Sequence, residues 1–296
     1  MRSLALAGLL AFAVVLPVNA QPPMADPDVE ALVKGNNEFA FALHQKLAQG
    51  NDNAFYSPYS ISTALAMTYA GARNTTAAEM QAALRFTLPQ EKLHPAFGKL
   101  IAQTNDKKRP LQLSVANRLW GQRGYGFLKP FLNITSEHYG APLEEIDYRS
   151  PGGAEQGRAA INRWVEEKTN KKIRDIIPKG ALDTRTRLVL TNAIYFKASW
   201  AIPFNEKSTK PDTFHALDGS TTKPKMMHGS LGINYMRNDD FALVELPYEK
   251  HDASMIVILP HKKDGLAAVE KKLSVEGLQG WVQALLPHQV DLKLPK

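Results

Sequence analysis

Thr186-Arg187-Leu188-Val189-Leu190-Thr191-Asn192-Ala193-Ile194-Tyr195-Phe196-Lys197-Ala198-Ser199-Trp200 is an apolar run interrupted by one amide and closed by an indole. Leu188, Leu190, Ile194 and Phe196 share one parity, and Val189, Ala193 and Tyr195 the other. Apolar side chains on both faces predict a buried central strand. Asn192 stands out on that strand. A buried amide must place two donors and an acceptor, at a cost of roughly 1–3 kcal/mol for each group left unpaired. Two readings of it stay open: a polar network that dictates its position, or local backbone at a β-bulge.

Working outward toward the N-terminus, Leu32, Phe39, Leu43 and Leu47 fall at helical spacing within residues 29–47, and Gly50-Asn51 closes that helix. Ser57-Pro58 opens the next, because serine caps free N–H groups and proline has no donor to lose in a first turn. Ile61, Leu65 and Tyr69 are its expected buried stripe, with Ser60, Ser62, Ala64 and Ala66 small enough to let it pack closely under a sheet. Thr76 and Glu79 have capping-box spacing for a third helix ending near Arg85. Leu111, Leu113, Val115, Asn117 and Leu119 alternate with Gln112, Ser114, Ala116, Arg118 and Trp120, the pattern of a strand with one face on a core. A helix over 129–138 and a short strand over 142–148 follow. The turn Ser150-Pro151-Gly152-Gly153 leads into a helix striped by Ile161, Trp164 and Val165, with Glu167 and Lys171 spaced i,i+4.

Toward the C-terminus the chain is rich in strands. Residues 213–216 and 223–227 flank Asp218-Gly219, a hairpin-turn signal, and residues 233–236, 241–246 and 254–259 read as further strands. Ser254-Met255-Ile256-Val257-Ile258-Leu259 is apolar on both faces, carries no charge and has high β-propensity, so it is the segment expected to be most exposed to self-association. Residues 290–296 alternate up to Lys296.

Arg2, the apolar run 4–16 and the small-residue site Val18-Asn19-Ala20 predict a signal peptide over residues 1–20, removed to start the mature chain near Gln21. The product is expected to be secreted, extracellular or periplasmic if bacterial, with one domain over 21–296. After cleavage no run is long enough to span a membrane. The absence of cysteine rules out a disulfide-stapled minidomain and thiol catalysis, and 44% apolar residues suffice for a hydrophobic core. A formal charge of +7 is spread among acids: Lys107-Lys108-Arg109 follows Asp106, and the bases over 168–179 sit near Glu166, Glu167 and Asp175. Solvated faces, rather than a nucleic-acid surface, fit that distribution. There is no Gly-x-Ser-x-Gly elbow, His-Glu-x-x-His, phosphate-cradling loop or metal-type histidine cluster, and His228, His251 and His288 are scattered. No catalytic residue, metal or cofactor is expected, which leaves an exported hydrolase as a minor alternative. Asn74-Thr75-Thr76 and Asn133-Ile134-Thr135 fit the glycosylation sequon.

Four segments together carry a family resemblance: residues 53–65 (NAFYSPYSISTAL), 162–169 (NRWVEEKT), 190–200 (LTNAIYFKASW) with Pro203-Phe204 close behind, and Met226-Met227-His228 followed by Val244-Glu245-Leu246-Pro247-Tyr248. In this order they resemble the serpin family over nearly the whole mature chain. The resemblance implies an α+β serpin-like fold, with helices packed around a large mixed main sheet plus smaller antiparallel sheets. It also implies a chain that stops, at Lys296, ahead of the family's reactive loop and C-terminal strands, leaving the bait residue beyond it and the fragment prone to self-association. The function implied is suicide inhibition of serine proteases, in some members cysteine proteases, by loop cleavage and insertion into the main sheet. A non-inhibitory serpin acting as a binding, carrier or chaperone protein is the alternative. The family match assigns Ser57, Ser60 and Asn192 to the shutter under the sheet centre and Trp200 to the breach where insertion begins. A satisfied helix cap and a satisfied buried amide are the purely structural reading of the same residues. Some serpins bind sulfated polysaccharide on a basic helix, but the matching helix here, near residues 93–103, has only Lys99 as a strong base, so polyanion binding is not expected.

Overall fold

Proline in the first turn, behind an oxygen-bearing cap, sets the start of the first two helices. In α1 (Pro27–Leu47) the Asp26 carboxylate accepts from the Asp28 N–H, and in α2 (Pro58–Gly71) Ser57 accepts from the Ser60 N–H. The computed structural model describes residues 10–14, 26–48, 53–216 and 218–296. Leu65 leaves the expected stripe of α2: it is exposed, while Ser62, Thr63, Ala66, Met67, Tyr69 and Ala70 turn inward. Small residues face the core because α1 crosses close by, with Ser62 Oγ donating to Asn36 Oδ1 at 2.6 Å. The expected capping box does not form. α3 (Asn74–Ala83) starts three residues early, with Arg73 at the cap position and Asn74 at φ 51°, so Thr76 lies inside the first turn rather than ahead of it. α4 (Gln90–Thr104) and α5 (Lys129–Tyr139) complete this helical layer. Gly140 ends α5 at φ 58°, a left-handed conformation that glycine adopts without steric cost. Met67, Tyr69, Phe86, Leu93, Phe97 and Tyr139 form the layer's core.

Above that layer lies a mixed sheet of β2 (Gln112–Gln122), β3 (Leu143–Ile146) and β4 (Leu188–Lys197), in the order β3-β2-β4. β3 runs parallel to β2, and β4 runs antiparallel to it in unbroken register from Gln112↔Lys197 to Gly121↔Leu188. Leu119, Leu188 and Leu190 pack down onto the helical core. On the other face α6 (Gly153–Lys168) covers Trp120 and Ala193 with Ile161, Trp164 and Val165, as its stripe predicted. The spacing of Glu167 and Lys171 gives no helical pair, because the chain leaves the helix at Thr169 and Lys171 has φ 62°. Glu166 pairs instead with Arg174 at 3.3 Å. β4 also departs from the expectation of a buried central strand. Among the described residues it pairs with β2 alone, so only Thr191 and Ala193 of its ten residues are fully buried.

The second sheet is antiparallel throughout. It contains β1 (Leu10–Val14), β5 (Lys210–Pro211), β8 (Lys225–Arg237), β9 (Phe241–Pro247), β10 (Ser254–Pro260) and β11 (Leu286–Pro295), in the order β1-β10-β9-β8-β11 with β5 also on β8. The expected hairpin at Asp218-Gly219 forms between β6 (Phe214–His215) and β7 (Thr221–Thr222), with Gly219 at φ 83°. The two strands expected over 223–236 are one, β8, because nothing between them breaks the pairing with β11. Contrary to expectation, β10 is covered rather than exposed. Ile256 and Ile258 pack against Val269, Leu273 and Leu278 from α7 (Leu266–Glu270), α8 (Val275–Gln283) and the turn between them, while Val257 packs with Leu231, Val244 and Leu294. Its far edge takes β1, in register from Leu10↔Ile258 to Val14↔Ser254. Those five residues lie within the expected leader. No helix among the described residues is long and apolar enough to cross a membrane.

The approach of α1 to the end of α3 can be tested at one atom. A Cβ at Gly35 would stand 2.3 Å from the carbonyl oxygen of Arg85. Gly35→Ala is expected to destabilise the fold by about 1–3 kcal/mol in urea titrations, through overpacking. An unchanged midpoint would mean that the two segments are not so closely apposed.

Candidate functional site

The antiparallel register sets Asn117 of β2 directly opposite Asn192 of β4. Both side chains point down toward the helices, where each finds partners. Asn192 Nδ2 donates to Asn117 Oδ1 at 2.7 Å, and Asn117 Nδ2 donates to the carbonyl of Tyr139, the last residue of α5, at 3.0 Å. Asn192 Oδ1 accepts from the Ser60 hydroxyl on α2. The Ser60 N–H in turn donates to Ser57 Oγ at 3.2 Å, which is the cap of that helix. One line of neutral hydrogen bonds thus runs from the start of α2 through β4 and β2 to the end of α5. The unbroken register excludes the bulge, so the amide network accounts for Asn192. Asn192 itself is half-buried, and Asn117 is the deeper of the two.

The line continues beyond the residues singled out in the sequence. The Tyr139 hydroxyl lies 2.6 Å from His94 Nδ1, deep between α4 and α5. Burial holds the Tyr139 phenol well above its ordinary pKa. Burial first, and then His138, pushes His94 down to about 4. Asn105, which follows α4, clasps the β2 backbone in both directions: its Nδ2 donates to the Val115 carbonyl at 3.1 Å, and its Oδ1 accepts from the Val115 N–H at 2.8 Å. Asn117 carried a readable signal, an amide at an apolar parity position. Its pairing with Asn192 depended on register, which the sequence leaves open.

Trp200 lies apart from this cluster. It follows β4, forms an isolated antiparallel bridge with Tyr248, and stacks on that ring at 4.7 Å with an interplanar angle of 11°. The Ala201 N–H donates to the Pro247 carbonyl at 2.9 Å, and the Glu249 N–H to the Ser199 carbonyl at 2.8 Å. Trp200 therefore joins the end of the mixed sheet to the β9–β10 turn of the second. Ser57, Ser60 and Asn192 therefore lie together, and Trp200 lies apart from them at the joint. Among the described residues no group of three His, Cys, Asp or Glu side chains is placed to hold a metal ion. On α4, Lys99 pairs with Asp26, and Lys92 lies 3.6 Å from Asp28.

The family model described as Serpin (serine protease inhibitor) matches residues 34–296. A serpin-like protein of Thermococcus kodakarensis is 37% identical over 282 residues, 95% of this chain and 65% of that protein. Leukocyte elastase inhibitor of Xenopus laevis is 37% identical over 277 residues, 90% of this chain and 73% of its own. The solved structure of a cleaved serpin, serpin 42Da, superposes with a TM-score of 0.83 at 33% identity, covering 91% of this chain and 72% of that one. The chain belongs to the serpin family, a family of protease inhibitors rather than enzymes. It spans about two thirds to three quarters of the length of these relatives.

Asn192→Leu leaves the Ser60 hydroxyl and the Asn117 carbonyl oxygen facing an apolar side chain, and should cost about 1–3 kcal/mol in equilibrium unfolding. Ser57→Ala, which removes the cap, should cost about 0.5–2 kcal/mol. Adding Asn117→Leu to Asn192→Leu should recover part of the first loss, because both partners of the pair are then apolar. Strict additivity of the two asparagine substitutions would show that they do not act as a pair.

Proposed function

We propose that this chain is the body of a secreted serpin that inhibits serine proteases as a suicide substrate. In this reading a bait loop is cleaved, its N-terminal part adds to the mixed sheet as a new strand, and the acyl-linked protease is carried along and distorted before hydrolysis. The observation that carries the reading is the mixed sheet itself. β4 is hydrogen-bonded on its β2 side and has no strand on its other edge among the described residues. The similarity to a leukocyte elastase inhibitor supports the protease as partner. Ser57, Ser60 and Asn192 would form the shutter that steadies β4 from below, and Trp200 would mark the end at which insertion starts. Signal-peptide cleavage near Gln21 would deliver the protein to the extracellular space or periplasm. Lys99 and Lys92, already facing acids, give no support to a polyanion site.

The test is direct. The full-length protein, reactive loop included, is mixed with trypsin-like, chymotrypsin-like and subtilisin-like proteases and run on denaturing gels. A band that survives denaturation at the summed mass is expected with at least one enzyme. The Asn192→Leu form should give less of that band and more polymer on mild heating. Ordinary cleavage products across the whole panel would transfer the protein to the binding, carrier or chaperone class.

A further inference from the structure

His94 belongs to no motif that the fold or the proposed function uses, yet it sits one residue away from the amide pair. It is buried, with Nδ1 against the Tyr139 hydroxyl at 2.6 Å, and its Nε2 is buried with no hydrogen-bond partner among the described residues. Tyr139 contacts the network twice: its hydroxyl meets His94, and its carbonyl holds Asn117 at 3.0 Å. We infer that His94 is a positioning residue that makes the placement of β4 sensitive to protons.

The neutral imidazole suits this site. One nitrogen is matched to the phenol, and the other requires no acceptor if it carries no proton. The imidazolium has two N–H donors, and at Nε2 no described residue accepts the second. The groups around the ring oppose charge as well. The Tyr69 ring of α2 lies 6.1 Å away and the Tyr139 ring of α5 5.7 Å away, inclined by 49° and 67°, and neither carries a charge that would offset one on the imidazole. His138 on α5 and Arg73 after α2 disfavour a second positive charge, and Glu91 on α4 itself is the one group that favours it. Together with burial, these hold the imidazole at about 4, below its ordinary 6.5. The sign follows from that depression. The stabilisation is complete above about 6.5 and is lost as the pH falls through about 4, where the folded state must take up a proton it cannot accommodate. Charging the ring places at Nε2 an N–H for which the described residues offer no acceptor, so the imidazole must shift, and Tyr139, bonded to Nδ1, shifts with it. Because Tyr139 is the last residue of α5, with only Gly140 as a hinge behind it, the movement draws its carbonyl away from Asn117 and frees the β2–β4 amide pair.

The inference holds whether or not the protein inhibits a protease, since its readout is local opening of a strand. Native-state hydrogen exchange on the full chain, corrected for intrinsic rates, would compare peptides from residues 188–197 with those from 241–247 in the second sheet. Between pH 7 and 4.5 the opening of 188–197 should rise by more than about tenfold, with little change over 241–247. His94→Gln, which cannot titrate, should flatten that dependence. Equal changes in both segments would reduce His94 to a general stability residue, and an unaltered pH profile in His94→Gln would remove it from the device; either outcome overturns the proposal. Should His94→Gln not fold, an NMR titration of His94 in the unmodified protein decides: a midpoint near 4 supports the proposal and one at the ordinary 6.5 overturns it.

Discussion

Two asparagines facing each other across β2 and β4 are the constraint on which the mixed sheet depends. Each amide has one end in the other and one end in the helical layer, so β4 can occupy only the register in which Asn192 meets Asn117. A slip of one residue would turn every side chain of the strand over, part Asn192 from both its partners and leave the Asn117 amide oxygen without its donor. The bonds are neutral and partly shielded, so salt does not weaken them as it would an ion pair. Each contributes only about 0.5–1.5 kcal/mol net. The penalty for breaking one without replacing it is larger, and that asymmetry makes the pair a register lock more than a source of stability.

The helices beneath are built to let the lock close. Ser60 reaches Asn192 because Ser57 and Pro58 start α2 at that point, and because small side chains let the helix approach its neighbours. Asn105 fixes β2 from the α4 end, and Tyr139 fixes it from the α5 end. Strand and helix layers therefore meet through directed polar contacts at several points, within a core of leucine and aromatic packing. The joint at Trp200 is of another kind. Stacking on Tyr248, and the Arg109 to Asp252 contact at 2.6 Å nearby in sequence, tie the mixed sheet to the second sheet at one end.

How much of this was legible depended on whether the signal was local. The Ser57 cap, the β2 alternation, the α6 stripe and the Asp218-Gly219 turn each rest on neighbouring residues, and each appears where its chemistry puts it. Asn192 could be recognised as an anomaly by parity alone. Its partner could not, since pairing across β2 and β4 is a property of register. Coverage was the other hidden variable. Leu65 looked like core by periodicity, but the side on which α1 packs decided the buried face. Residues 254–259 looked like an open edge because α7, α8 and β1 were not foreseen as cover. α8 did leave a trace, with Ser274 as cap and Leu278, Trp281 and Val282 at helical spacing. α7 is only five residues long and left too little periodicity to read.

The lock and the edge of β4 that carries no strand among the described residues draw on different atoms. Asn192 and Asn117 use side-chain amides that point down into the helices, whereas a strand added beside β4 would use backbone N–H and C=O groups that point sideways in the plane of the sheet. Adding a strand therefore competes with none of the bonds described above, and the amide pair need not break for the edge to be filled. What resists filling is the requirement that β4 and its support be in place at the moment of pairing, because a strand free to twist offers no fixed ladder. On this view the polar network under the sheet does not oppose strand addition. It holds one side of the acceptor still, and loosening it would impair ordered addition while favouring disordered association of the same edge.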